Sequence, residues 1–173
     1  MYANGEQCVI TNTVLLATDV PGLETTTILL ESWYYGKDAN NQLLTKPEVS
    51  QYARLNETEI YMRYAEFSSD KEAQETITFT VNDIADRLKK GIWRGAATKK
   101  IGDVSWYYRN VDETSIFVAY KNTCFYVDCS NPNETVSKGV CEQLALKIVE
   151  KIENGSHVIV SKENPPPVTV PAP

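Results

Sequence analysis

With 173 residues and a formal net charge of −6, the chain reads as one domain, long enough to bury on the order of 70% of its unfolded surface. The acidic balance excludes a protein that draws its affinity from clustered Lys and Arg on phosphates, so no nucleic-acid partner is expected. No apolar run approaches the roughly 18 residues of a membrane-spanning helix, and the N-terminus does not read as a signal peptide.

In chain order, Cys8-Val9-Ile10 through Val14-Leu15-Leu16 is apolar and β-branched enough for one or two short strands, ended by the turn signal Asp19-Val20-Pro21-Gly22. Thr25 to Tyr35 predicts a long strand with two apolar faces, Ile28/Leu30/Tyr34 and Leu29/Trp33/Tyr35. The polar stretch from Gly36 to Asn56 reads mainly as a loop, with a helical turn around Pro47 to Tyr52. Glu59 to Phe67 predicts a strand with Ile60, Met62 and Tyr64 on one face and Tyr61, Ala65 and Phe67 on the other. Ser68-Ser69-Asp70-Lys71 reads as a turn, and Thr76 to Val81 alternates as a strand with Ile77, Phe79 and Val81 inward. Asn82 then caps a short helix, Asp83 to Lys90, stopped by Gly91; Asp83 and Asp86 near its start and Lys89-Lys90 at its end match the helix dipole. The basic residues Lys89, Lys90, Arg94, Lys99 and Lys100 read as a solvated helix end and loop.

Val104 to Arg109 is an aromatic strand that leads into the most legible part of the chain, Thr114 to Ile152. Thr114 to Tyr120 and Thr123 to Cys129 are β-branched and aromatic, and Lys121-Asn122 between them reads as a two-residue hairpin turn. That turn sets Val118 opposite Phe125, Ile116 opposite Val127 and Thr114 opposite Cys129 on one face, with Ala119 against Cys124 and Phe117 against Tyr126 on the other. Asn131-Pro132-Asn133 is a loop signal, and Glu134 to Glu153 follows as a helix whose Cys141, Leu144, Ala145, Ile148, Val149 and Ile152 form one apolar stripe. The stripe should cover the Ile116/Val118/Phe125/Val127 face, and Asn154-Gly155 ends the helix. The fold class is therefore α+β: an antiparallel sheet with a short middle helix and a long C-terminal helix packed on one face. Residues 1–160 make one domain and 161–173 a proline-rich tail or linker.

Four cysteines make an even set, and the register sorts them. Cys129 points to the face that the helix covers and Cys141 lies on its stripe, so these two should pair; Cys124 points the other way, which leaves Cys8 as its partner. Connectivity does not follow from four cysteines alone, and the alternative is four reduced, buried thiols. Asn56, Asn133 and Asn154 each open an Asn-x-Thr/Ser acceptor tripeptide for N-glycosylation. Cysteines, sequons and tail together favour a mature exported form, extracellular or at the cell surface, over an intracellular one.

Signatures of catalysis are missing: there is no Gly-x-Ser-x-Gly, no phosphate-cradling glycine loop, no His-Glu-x-x-His, and one histidine, His157, read as an exposed strand end. No enzymatic activity, metal or cofactor is expected. The informative feature is aromatic. Trp33-Tyr34-Tyr35 and Trp106-Tyr107-Tyr108 are consecutive triplets on predicted strands, so rings must point to both faces of the sheet. Trp33, Tyr35, Trp106 and Tyr108 are the candidate binding surface, for a protein partner or a glycan.

Leu16-Ala17-Thr18-Asp19-Val20-Pro21-Gly22, Ile101-Gly102-Asp103 before an aromatic strand, the Lys121-Asn122 hairpin tip and the closing Glu142 to Ile148 helix together resemble a loose group of exported bacterial and archaeal surface or lipoprotein-like domains of unknown function. In plan these are similar to the Mog1/PsbP-like fold. The resemblance implies no shared catalytic motif, and Cys8 departs from the lipobox pattern, since no Leu-x-Gly/Ala precedes it. The expected function is binding or assembly outside the cell, for example as a subunit of an extracellular filament or layer; the alternative is a carbohydrate or small-ligand binding module using exposed Trp and Tyr.

Overall fold

A computed structural model describes the backbone of residues 2–3, 7–37, 40, 42–87, 92–96, 101–109, 112–155, 157–161 and 168–170, and the side chains of 11–32, 40, 42, 46–83, 101–109, 112–155 and 157. In chain order the elements are β1 (Tyr2–Ala3), β2 (Gln7–Thr11), β3 (Leu23–Lys37), β4 (Leu43–Leu55), β5 (Thr58–Glu66), α1 (Asp70–Arg87), β6 (Ile92–Ala96), β7 (Val104–Arg109), β8 (Glu113–Tyr120), β9 (Thr123–Ser130), α2 (Glu134–Glu153), β10 (His157–Ser161) and β11 (Val168–Val170). They form an α+β arrangement: a seven-stranded antiparallel sheet in the order β3-β4-β5-β9-β8-β7-β6, two helices packed against it, and a four-stranded sheet in the order β1-β2-β10-β11.

The β8–β9 hairpin forms in the expected register. Val118 faces Phe125, Ile116 faces Val127, Thr114 faces Cys129, and Tyr120–Thr123 closes the two-residue turn. The positive φ falls on Lys121, at 50°, and not on Asn122. Asn122 instead pins the hairpin tip to the end of β5: its carbonyl accepts from Phe67 N at 2.7 Å, and its Nδ2 donates to Phe67 O at 3.2 Å. Helix α2 runs over the expected span. Asn133 is its N-cap, with Oδ1 accepting from Thr135 N at 3.0 Å and Val136 N at 3.3 Å, and Gly155 follows its end at φ 67°.

Because neighbours along a strand point to opposite faces, β9 sorts the core in two. Phe125, Val127 and Cys129 join Ile116, Val118 and the α2 residues Cys141, Leu144, Ala145 and Ile148. Cys124 joins Phe117, Ala119, Tyr108 and the α1 residues Ala73, Ile77 and Val81. The two helices thus take opposite faces of the sheet, not one. On the α2 face, residues 13–20 lie beside α2 and cover β3 to β5. Three contacts fix them: Lys151 Nζ donates to Val14 O at 2.7 Å and pairs with Asp19 Oδ2 at 2.6 Å, and Gln51 Oε1 accepts from Leu15 N at 3.0 Å.

Three segments differ from their sequence reading. Residues 76–81, expected as a strand, lie inside the 18-residue α1. Ala73, Ile77 and Val81, four apart, face the sheet, whereas Phe79 is 47% exposed. Asn82 and Asp83 are consequently helix interior and cap nothing; the true start is Ser69, whose Oγ accepts from Glu72 N at 3.2 Å while Glu72 Oε2 accepts from Ser68 N at 2.8 Å. The expected loop from Gly36 to Asn56 contains β4, with Pro47 opposite Ser32 in the stretch where β4 has β3 but not yet β5 as a registered neighbour, so its missing N–H interrupts no central ladder. The tail residues Val168–Val170 pair with β10, which itself pairs with β2, and His157 at the start of β10 is half-buried. The side chains of Asp86, Arg94 and Cys8, and all of Lys89, Lys90, Lys99 and Lys100, lie outside the described residues.

Candidate functional site

Among the described residues the α2 face of the sheet is covered by α2 and residues 13–20, so the surface that a partner could read is the α1 face where α1 does not cover it, together with the outer edge of β3. On that face the pleat lines up side chains from successive strands. One row is Tyr52, Tyr61, Asp128 and Ser115; the next is Ser50, Arg63, Tyr126 and Phe117. Tyr52, 40% exposed, stacks on Tyr61 with centroids 4.6 Å apart and planes inclined at 30°. Tyr61 meets Tyr126 edge-on at 5.7 Å, and Tyr126 stacks on Phe117 at 5.2 Å. The Arg63 guanidinium lies 5.7 Å over the Tyr126 ring.

Carboxylates are threaded through this aromatic band. Glu48 is fully buried and accepts from Arg63 through Nε, at 2.8 Å, and through Nη2. Its second oxygen, Oε2, has no hydrogen-bond partner. Burial raises the Glu48 carboxyl above its ordinary range; Arg63 opposes that rise and the neighbouring Glu31 adds to it. Glu31 sits directly opposite Glu48 across β3 and β4, is exposed, and accepts from Ser50 Oγ and from Tyr61 OH, the latter at 3.3 Å. Burial pushes the Tyr61 phenol up to about 12. Farther along the row, half-buried Asp128 accepts from Ser115 Oγ at 2.9 Å and is hydrogen-bonded to Glu113; burial and that neighbouring carboxyl push it up to about 8.

The structure redraws the expected binding surface. Tyr108 is buried and Trp106 half-buried, both packed in the core beneath α1, with the Trp106 indole Nε1 enclosed and without a partner. They are therefore not an exposed platform; Tyr52 and Tyr61 hold that position. The side chains of Trp33 and Tyr35 lie outside the described residues. Sequence reasoning missed Glu31, Glu48 and Asp128; Glu31 and Asp128 are single acids in apolar and aromatic runs, which is the signal that marks them, whereas Glu48 lies in a polar stretch that gives none.

The cysteine expectation is half met in geometry and not met in bonding. Cys129 and Cys141 are brought together and hydrogen-bonded on the α2 face, and Cys124 points the other way, its Sγ donating to Ala73 O at 3.0 Å. Yet Cys124, Cys129 and Cys141 are buried free thiols, so neither expected disulfide is formed. Burial pushes the Cys124 and Cys141 thiols up, which suppresses the reactive thiolate. The three sequon asparagines are all exposed: Asn56 at φ 53° in the β4–β5 turn, Asn133 at the N-cap of α2 and Asn154 at its C-cap.

Among the described residues no group of three or more His, Cys, Asp or Glu could hold a metal ion, and no helix is long and apolar enough to cross a membrane. No family model, no curated protein and no solved structure matches the chain.

Proposed function

We propose that this chain is an exported domain that works by binding or assembly outside the cell, and that its partner attaches along the outer edge of β3. The observation that carries the reading is the edge itself. β3 is 15 residues long and pairs with β4 on one side; among the described residues no strand pairs with its other side, although α1 and β10 lie against it. Between the irregularities at Thr25/Thr27 and Tyr34/Gly36 the register is unbroken, and this stretch contains no proline, no glycine and one charge, Glu31. Proteins ordinarily blunt such edges with several charges, proline or a bulge, because open N–H and C=O groups on an edge recruit a further strand; Ile28 already has a partner of its own, so the reading rests on Leu29 to Tyr34. Export is supported by the three exposed sequon asparagines and by the adjacent Cys129 and Cys141 sulfurs, which an oxidising compartment would join.

The test uses natively purified protein. Sedimentation velocity of the assembled species, followed by hydrogen exchange, is expected to show the outward-facing amides of Leu29 to Tyr34 protected in the assembly and exposed in the dissociated chain. A strict monomer with no bound partner at every concentration, or equal exchange of those amides in both forms, overturns the reading. Intact mass before and after reduction and deglycosylation is expected to show a reducible bond and attached glycan; a bare, fully reduced chain removes export.

A second reading, a carbohydrate-binding module, is favoured by the exposed Tyr52 ring stacked on Tyr61. Saturation-transfer spectra against a glycan panel with no transfer from either ring dismiss it.

A further inference from the structure

Charge is unevenly distributed along this chain. Of its 17 Lys and Arg, six lie in residues 87–100, while all 23 Asp and Glu lie elsewhere. The segment therefore carries +6 and the rest of the chain −12. The described stretch of that segment, Ile92–Ala96, is β6, the edge strand at the far side of the sheet from β3. Negative charge gathers on the open sheet face. One cross-strand row there runs Glu24, Arg54, Glu59, Ser130 and Glu113, each opposite the next. Glu24, Glu59 and, farther along β3, Glu31 are exposed, and Glu113 is hydrogen-bonded to Asp128 in the neighbouring row. The cations of this face are engaged: Arg54 Nε donates to Asn56 O at 2.9 Å, Arg63 holds Glu48, and Lys46 pairs with Glu72 at 3.1 Å. Glu48 stands directly opposite Glu31, a like-charge placement that weakens a sheet, and its enclosed Oε2 has no hydrogen-bond partner. Tyr52, 40% exposed, sets an open ring among these acids, a surface that attracts Lys and Arg.

We infer that this acidic, ring-bearing face receives residues 87–100 of a second copy, so that copies join head to tail. The same copy does not supply them to the whole face: Glu24 and Glu31 stand on β3, six strands from β6, or about 29 Å at ~4.8 Å per strand. Because the two surfaces differ, the contact is heterologous and repeats into a filament or ring of copies rather than closing as a pair. At a net charge of −6 the copies repel as wholes, so attachment depends on these two complementary surfaces meeting. The inference rests on the assembly part of the preceding reading, not on the β3 edge, and it names the partner.

Sedimentation velocity follows the full chain at about 0.1 M and about 1 M salt, between which the screening length falls from about 10 Å to about 3 Å. Association is expected to weaken at least about tenfold at the higher salt. Two charge-reversed forms are compared at the lower salt, each checked for folding by circular dichroism. One carries Glu24→Lys and Glu59→Lys on the face; the other carries Lys89→Glu, Lys90→Glu, Lys99→Glu and Lys100→Glu in the segment. Each alone should stay monomeric where the wild type assembles, and an equimolar mixture should associate again, because each reversed surface then meets its complement. A mixture that fails to reassociate overturns the inference. Assembly unchanged by salt and by both reversals also overturns it, while the β3-edge reading stands and is followed by exchange at Leu29 to Tyr34. A wild type that is monomeric at the lower salt overturns it as well; if that monomer has no bound partner, the functional reading falls too. Should a variant not fold, the salt response of the wild type decides.

Discussion

Asp128→Asn tests the electrostatics of the open sheet face most directly. Unfolded, the aspartate releases its proton near 3.8; folded, burial and the Glu113 carboxyl hold the proton until about pH 8. Between those values the native state binds more protons than the unfolded state, so stability falls as pH rises through this window and levels off above it. This is opposite to an ion-paired carboxylate, whose stabilisation is lost as pH falls. Each unit of pH within the window corresponds to about 1.4 kcal/mol, so the range from pH 5 to pH 8 sets an upper bound of about 4 kcal/mol. Asp128 is half-buried and solvent screens part of the charge, which brings the expected loss to about 1–3 kcal/mol. Asparagine keeps an oxygen for Ser115 Oγ, turns an N–H toward Glu113, and cannot ionise. Urea unfolding at pH 5 and pH 8 should therefore show the wild type losing about 1–3 kcal/mol more than the variant between the two conditions. Equal losses in both proteins would mean that Asp128 is solvated in the folded state, and the account of burial and the Glu113 carboxyl raising it would be wrong.

Core truncation discriminates helix from strand at residues 77 and 79: Ile77→Ala should cost about 2–4 kcal/mol in urea unfolding, while Phe79→Ala should stay within about 0.5 kcal/mol, the reverse of what an alternating strand with Phe79 inward requires. Gly102→Ala should destabilise by roughly 2–4 kcal/mol, because the glycine holds φ 64° and a Cβ would lie 2.7 Å from Val118 Cγ1 and 2.8 Å from Ala119 O. Asp19→Asn weakens the buried contact with Lys151 that fixes residues 13–20, and a thermal melt should report a loss of about 1–3 kcal/mol. Iodoacetamide labelling of the reduced, folded chain should leave Cys124, Cys129 and Cys141 unmodified until denaturant is added; fast native labelling of Cys141 would contradict its burial.

The sequence by itself determined the elements whose information is local. The β8–β9 register, the span of α2 and its apolar stripe, and the two faces of β5 all follow from periodicity and turn chemistry within a few residues. The same logic fails where two periods coincide. Ile77 and Val81 are four apart, which suits a helix and a strand alike, and the threonines between them favour the strand; the Ser69-Asp70-Lys71-Glu72 start signal was the cue that tips the balance. β4 was hidden by its polar residues, Pro47 and Glu48 among them, which are tolerable because the proline meets β3 alone near the sheet edge and the acid meets Arg63 from β5. Tertiary structure alone decided the rest: that the helices take opposite faces, that β2 meets β10 from the far end of the chain, and that Tyr108 is covered while Tyr52 is open. Those outcomes depend on long-range closure, since a strand's own pattern states that its two faces differ but not which helix, loop or solvent will meet each of them.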